Sequence, residues 1–486
     1  MDNSIEQRHV VIGTGSGKLR GVATGSVAFR GVPYARSPIG ELRFAAPQPH
    51  PGWTRIRDAI EAGPAAPQWP SRLEAVMGTR LPDWSEHGCL NLNIWTPDDD
   101  FGAARPVLLW FHGGGFTSGS GGWDWYDGGR LAALGGIVVV TANYRLGPLG
   151  YLYLPEFGAD NLGTQDQAAA LRWVVDNIAA FGGDPGSITV GGQSAGAFSA
   201  LALAADPGTG GMVRRVIGQS GPWGMPPQDP GEAAGVAAKY LEILGISSDS
   251  QRLRELPVAR LLAAYARLLA DSARPGGIAP PMYPVRGGAG QAVGWPEALA
   301  SGALADKDVL IGSTANEATS FLALNPIVQT ADRDTAVRLL AERGGAARYD
   351  EYADRYPAAG PAELFTAIVG DLLCGTADLA NGLVAQGNPT YVYRFMRGPA
   401  VDPYGFGAAH CAELPFLFGT FESYPNAPML GTFGPADRVL AAEFGGALAA
   451  FVATGTPNGP ALEPWQPYAT DESIRYFRSA AAPAAG

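Results

Sequence analysis

A chain of 486 residues with 46% apolar and 16% charged residues can bury a sizeable core, which excludes a disordered or fibrous protein. Its formal net charge of -12 leaves no basic face for a phosphate backbone, so nucleic acid is excluded as a partner. Cys89, Cys374 and Cys411 are an odd number of cysteines in a long chain, unlike a disulfide framework, and a reducing cytoplasm is the simplest reading.

Met1 to Val11 is polar and lacks the basic start and apolar middle of a signal peptide. Runs such as Leu131 to Ala142 hold glycines and fall short of the ~20 residues that span a bilayer, so no membrane segment is expected. Pro106 to Phe111, Ile137 to Thr141 and Ser187 to Val190 are apolar without alternation, the pattern of strands buried on both faces of a mostly parallel sheet. Gln165 to Phe181 and Phe198 to Ala205 read as helices between them. Glu232 to Leu244 and Glu255 to Asp271 carry apolar residues at helical spacing, and a Pro/Gly-rich connector runs from Arg274 to Pro296. Asp308 to Gly312 and Thr390 to Phe395 read as further strands, and the Ala/Pro tail from Ser479 as frayed. These elements predict an α/β fold in one catalytic unit, residues 1–486, with a helical and loop insertion over 222–300 that shapes a pocket.

Gly192-Gln193-Ser194-Ala195-Gly196 has the G-x-S-x-G form between a strand and a helix, where a sharp turn exposes a serine hydroxyl above a helix N-terminus. A glycine-rich turn with an incidental serine is the bland alternative. His112-Gly113-Gly114-Gly115-Phe116 follows a strand upstream, and the amides of Gly114, Gly115 and Ala195 are candidates for an oxyanion hole. A phosphate loop is the competitor, but no lysine follows the glycines. With the order serine, acid, histidine along the chain, His410 is the one histidine downstream of Ser194 and so the candidate base. Glu317 follows the strand Asp308 to Gly312 and is the favoured acid, while Asp371, Asp378 and Asp402 stay open on spacing alone.

The match then extends along nearly the whole chain. Phe29 to Ala35, Gly40 to Phe44, Asn143 to Gly147, Phe181 to Pro185, Asn316-Glu317-Ala318 and His410 to Pro415 resemble the type-B carboxylesterase family, which includes bacterial p-nitrobenzyl esterases and the cholinesterases. The resemblance implies an α/β-hydrolase fold with a large mixed sheet flanked by helices, and it favours Glu317 as the acid. It also implies buried ion pairs Arg43 with Glu86 and Arg145 with Asp166, and a supporting role for Ser220. Three departures stand out. Ala66 occupies the place of a cysteine that usually bridges to the one matched by Cys89. Gln193 replaces a usual glutamate and Ala318 a usual glycine. Without that glutamate's charge at position 193, choline esters are expected to be poor substrates.

The expected activity is hydrolysis of neutral small-molecule carboxylic esters through an acyl-enzyme, with no cofactor and no metal. Trp123, Trp125, Tyr126, Trp223, Met225 and Phe321 are candidate pocket walls, although most aromatics are simply core. A carbamate or anilide hydrolase using the same triad is the close alternative, because Gly218 to Met225 and Gly407 to Phe416 resemble bacterial carbamate-herbicide hydrolases. A non-catalytic binding protein of the same fold is the remote one. Oligomeric state is not legible.

Overall fold

The computed structural model describes residues 8–80, 83–246, 250–460 and 462–479; most of the tail from Ser479 lies outside them. Its strands are β1 (Arg8–Thr14), β2 (Gly17–Thr24), β3 (Ser26–Pro33), β4 (Arg57–Asp58), β5 (Asn91–Thr96) and β6 (Arg105–Phe111). They continue with β7 (Val138–Ala142), β8 (Gly183–Gln193), β9 (Arg215–Gln219), β10 (Asp308–Thr314), β11 (Thr390–Phe395) and β12 (Arg475–Phe477). The sheet runs in the order β1-β2-β3-β5-β7-β6-β8-β9-β10-β11-β12, with β4 beside β2. From β1 to β7 the pairings along this order are antiparallel, and from β7 to β12 they are parallel. This is the α/β-hydrolase architecture.

The non-alternating strands are apolar because both faces are covered. Along β6, Val107, Leu109 and Phe111 join one core layer and Leu108 and Trp110 the other. In β10, Val309 and Ile311 face the first layer and Leu310 the second. The helices Leu162–Asn177 and Ala195–Ala205 fill the first layer, and Pro435–Thr454 with Leu414–Phe418 fills the second.

Within 222–300, the helices Pro230–Leu244 and Val258–Ser272 send Tyr240, Leu241, Leu261 and Tyr265 into the first layer. A third apolar cluster, not foreseen in the sequence, is built by helices between 319 and 374, including Pro361–Cys374, with Ile278 packed against them. One stretch, 361–385, is long and apolar enough to cross a membrane by composition. Gly375, at φ 52°, breaks it into two helices whose Leu364, Phe365, Leu379 and Leu383 are buried in the protein core, which accounts for its apolarity. Cys89, Cys374 and Cys411 are all free and buried. Burial pushes the Cys89 thiol up to about 12, so it behaves as a small apolar side chain.

Candidate active site

Four loops at the C-terminal ends of β6, β8, β10 and β11 converge on one cleft, where a parallel sheet presents its loops. Ser194 caps the helix Ala195–Ala205 at φ 56° and ψ -123°, a backbone conformation that only a tightly determined turn imposes on a serine. Its amide donates to Gln219 O at 2.8 Å, which ties the turn to β9. Glycine is required at 196 because a Cβ there would run into the Phe111 carbonyl at the end of β6. The Ser194 hydroxyl is half-buried and lines the cleft without a hydrogen bond among the described residues.

The glycine loop after β6 is held from below. His112 stacks on Tyr144 at 4.5 Å, Tyr144 donates its hydroxyl to His112 O at 2.8 Å, and His112 Nδ1–H donates to Gly113 O at 2.8 Å. Burial depresses the His112 imidazole to about 4, which keeps it neutral. Gly114 and Gly115 take φ 114° and 59°, and Gly114 has no room for a Cβ beside Ser118 O. The amides of Gly114, Gly115 and Ala195 meet no acceptor among the described residues, which leaves three donors at the cleft.

His410 and Glu317 are joined by a hydrogen bond of 2.5 Å from Nδ1–H to Oε2, with both side chains buried. Their loops are zipped together: Asn316 bridges Ala409, Asn316 Oδ1 accepts from Ala408 N at 3.0 Å, and Thr319 Oγ1 donates to Phe406 O at 2.6 Å. Burial alone raises the Glu317 carboxyl, but the His410 charge and hydrogen bonds from His410 and the Thr314 amide outweigh it and hold the acid below its usual range. The three competing acids lie elsewhere. Asp402 accepts from Phe406 N and Gly407 N, Asp371 from Tyr352, and Asp378 is exposed on the helix Thr376–Ala385.

With its Nδ1–H directed at Glu317, His410 presents Nε2 as an acceptor toward the cleft. The Gln193 amide nitrogen lies 3.2 Å from it and donates there. Trp123, Trp125, Tyr126 and Phe321 line the cleft, the Phe321 ring 5.3 Å from that of His410. Trp223 and Met225 do not line it: Trp223 is buried against Gly218 and Gly221 in the first core layer and Met225 packs beside that layer, because the turn after β9 folds them into the core. Among the described residues, no group of three or more His, Cys, Asp or Glu side chains is placed to hold a metal ion.

Sequence reasoning assigned no role to Glu413, three residues beyond His410. It is fully buried, accepts from Ser220 Oγ at 3.0 Å, and leaves Oε2 without a partner. Burial, and next the charge of Glu317, raise its carboxyl from 4.5 to about 7. Folding thus favours the protonated form, whose contribution is complete below about pH 4.5 and fades as pH rises through about 7. A Glu413→Gln variant keeps a neutral acceptor for Ser220. Between about pH 5 and about pH 8 it is expected to lose roughly 1 to 3 kcal/mol less stability than the unmodified protein, read from urea midpoints. Equal losses would show that Glu413 stays ionised in the folded protein.

A model of the carboxylesterase family matches residues 7–484. A phenmedipham hydrolase of Pseudarthrobacter oxydans is 36% identical over 94% of this chain and 93% of its own length. A para-nitrobenzyl esterase of Bacillus subtilis (strain 168) is 36% identical over 85% of this chain and 84% of its own. A solved carboxylesterase of Geobacillus stearothermophilus at pH 6.2 matches with a TM-score of 0.84 and 35% identity, covering 96% of each chain.

Proposed function

The chain belongs to the carboxylesterase family and is a carboxylic-ester hydrolase, and on that premise we propose that Ser194 is its nucleophile, His410 its general base and Glu317 the acid that orients His410. The observation that carries this reading is the 2.5 Å pairing of His410 Nδ1 with Glu317, which leaves Nε2 facing the cleft lined by Ser194.

Ser194 Oγ attacks the ester carbonyl and gives its proton to His410 Nε2, displacing the Gln193 amide from that lone pair. The carbonyl oxygen becomes an oxyanion held by the amides of Gly114, Gly115 and Ala195; one such donor is worth about 2.7 to 4 kcal/mol at the transition state. The new imidazolium is stabilised by Glu317 and protonates the leaving alcohol. Water enters, loses a proton to His410 as it attacks the acyl carbon, and the carboxylic acid leaves as the bond to Ser194 Oγ breaks and His410 returns the proton to that oxygen. Ser220 and Glu413 pack behind this pair as support. Neutral small esters are the proposed substrates, since no charge from Gln193 helps to hold a quaternary ammonium, and three unpaired thiols suit a reducing cytoplasm.

The similarity to a phenmedipham hydrolase favours one second reading, in which the same triad acts on a carbamate or anilide. A panel of a p-nitrophenyl ester, a phenyl carbamate and an anilide, each followed in burst and steady state, separates the two. The ester is expected to lead in kcat/KM by more than about tenfold and to show an acyl-enzyme burst. A carbamate or anilide that matches the ester would replace the first reading by the second.

A further inference from the structure

The cleft at Ser194 is narrow, ≈ 40 Å³, whereas a neighbouring cavity of ≈ 560 Å³ shares Arg72 with it. A substrate larger than its reacting ester group can therefore lay its remainder past Arg72. The wall of the larger cavity holds Arg72, Arg274 and Arg343 and no aspartate or glutamate. That is notable in a chain whose 46 acidic residues outnumber 34 lysines and arginines. Among the described residues none of the three forms an ion pair, and Arg72 and Arg343 are held instead by the carbonyls of Ile278 and Gly276, at 2.6 and 3.0 Å.

Arg72 is the member aimed at the chemistry. Its guanidinium lies 5.0 Å over the Phe321 ring, and Nη2 is 3.4 Å from where a Cβ on Gly115 would sit, so it abuts the oxyanion loop. Arg72 is exposed on the cavity wall. Desolvation without a countercharge draws it below the ordinary arginine range, although a guanidinium stays protonated at neutral pH.

We propose that Arg72, aided by Arg274 and Arg343, forms an anion subsite that recognises a carboxylate on the substrate, so that the enzyme also acts on esters whose acyl chain or alcohol carries a carboxylate. A guanidinium fork matches the two oxygens of a carboxylate, and the Phe321 ring lies against the Arg72 guanidinium. Leu262, Tyr265, Leu269 and Ile278 supply apolar wall for the carbon skeleton between the two ends. The inference rests on ester hydrolysis at Ser194 and goes beyond it by adding a charged substrate class.

The test uses pairs in which one member carries a carboxylate and the other a neutral group: mono-p-nitrophenyl adipate against p-nitrophenyl hexanoate for the acyl side, and 4-acetoxybenzoate against 4-acetoxybenzamide for the alcohol side. In at least one pair, Arg72→Met is expected to lower kcat/KM for the acid about tenfold more than for its neutral partner, with Arg72→Lys losing less. The preference for the acid should also shrink between about 0.02 M and about 0.5 M salt. Equal loss within both pairs would overturn the proposal. A readout without turnover keeps the two readings apart: adipate binding to a Ser194→Ala protein, by calorimetry, is expected to weaken at least about fivefold when Arg72→Met is added. If neutral esters are not hydrolysed yet adipate binding depends on Arg72, the esterase mechanism falls and the subsite stands. If neutral esters are hydrolysed and neither readout depends on Arg72, only the subsite falls.

Discussion

Replacing Ser194 by alanine is expected to lower kcat for a p-nitrophenyl ester by roughly 10⁴- to 10⁶-fold while leaving the circular dichroism spectrum and unfolding midpoint unchanged. The structural reason is that the hydroxyl is half-buried, lines the cleft and has no hydrogen-bond partner to lose, and alanine keeps the Cβ that the turn at φ 56° already accommodates. His410→Ala should fall as far, because the two act as one unit. Glu317→Gln should fall less, by roughly 10³- to 10⁵-fold, since an orienting acid is usually the least costly member to lose. Its amide also remains beside Nδ1 and favours the wrong imidazole tautomer. Turnover within tenfold of the unmodified protein after Ser194→Ala would remove Ser194 as nucleophile. A fully active Glu317→Gln protein would remove Glu317.

The second large effect concerns stability. Arg145 donates through Nε and Nη2 to both oxygens of Asp166 at 2.7 Å, and Asp166 also accepts the Arg145 amide at 3.0 Å. The side chains are 2% and 0% exposed. Asp166→Asn removes one charge and strands the other where water cannot reach it, which costs about 3 to 5 kcal/mol. Arg43 and Glu86 approach equally closely at 2.6 Å but are 11% and 17% exposed, so solvent screens the survivor and Glu86→Gln should cost less. Chemical denaturation of both variants measures the difference. An Asp166→Asn midpoint no lower than that of Glu86→Gln would show that burial does not set the ranking. The loss should reach catalysis as well, since Arg145 lies one residue beyond Tyr144, which supports His112, and Gly147 N donates to Phe116 O at 2.7 Å beside the glycine loop.

The parallel half of the sheet was legible because burial on both faces leaves a continuous apolar run, and the observed β6, β7, β8, β10 and β11 begin or end within a few residues of the runs read from sequence. The antiparallel half was not. Strands such as Arg8–Thr14 have mixed burial and adjacent apolar residues that are not all buried, so periodicity gives little contrast there. Arg215–Gln219 is only five residues long and its polar ends mask a fully buried strand. The helices from 319 to 374 escaped notice because they pack mainly on one another through short, irregularly spaced apolar faces. At the site, Ser194 and the glycine loop announce themselves by local motifs, and His410 by the scarcity of histidines. Asp402 could not be separated from Glu317 on spacing, because what distinguishes them is a loop closing over 93 residues to bring Glu317 against His410. Glu413 stayed hidden because nothing local marks a carboxylate that will be buried. Trp223 and Met225 were drawn to the pocket by their residue types, and the turn after β9 sends them to the core.

The order of strands also sets a timetable for assembly. Neighbouring parallel strands in the catalytic half are joined by long crossovers, and the partners around His410 come from 93 and 217 residues away. Contacts of such range form slowly, because the entropy of closing each loop is spent before any pairing rewards it. β11 must dock beside β10 before His410 can meet Glu317, and β10 beside β9 before either faces Ser194. Recovered activity after dilution from denaturant therefore reports completion of the whole parallel half, and should lag behind the return of secondary structure.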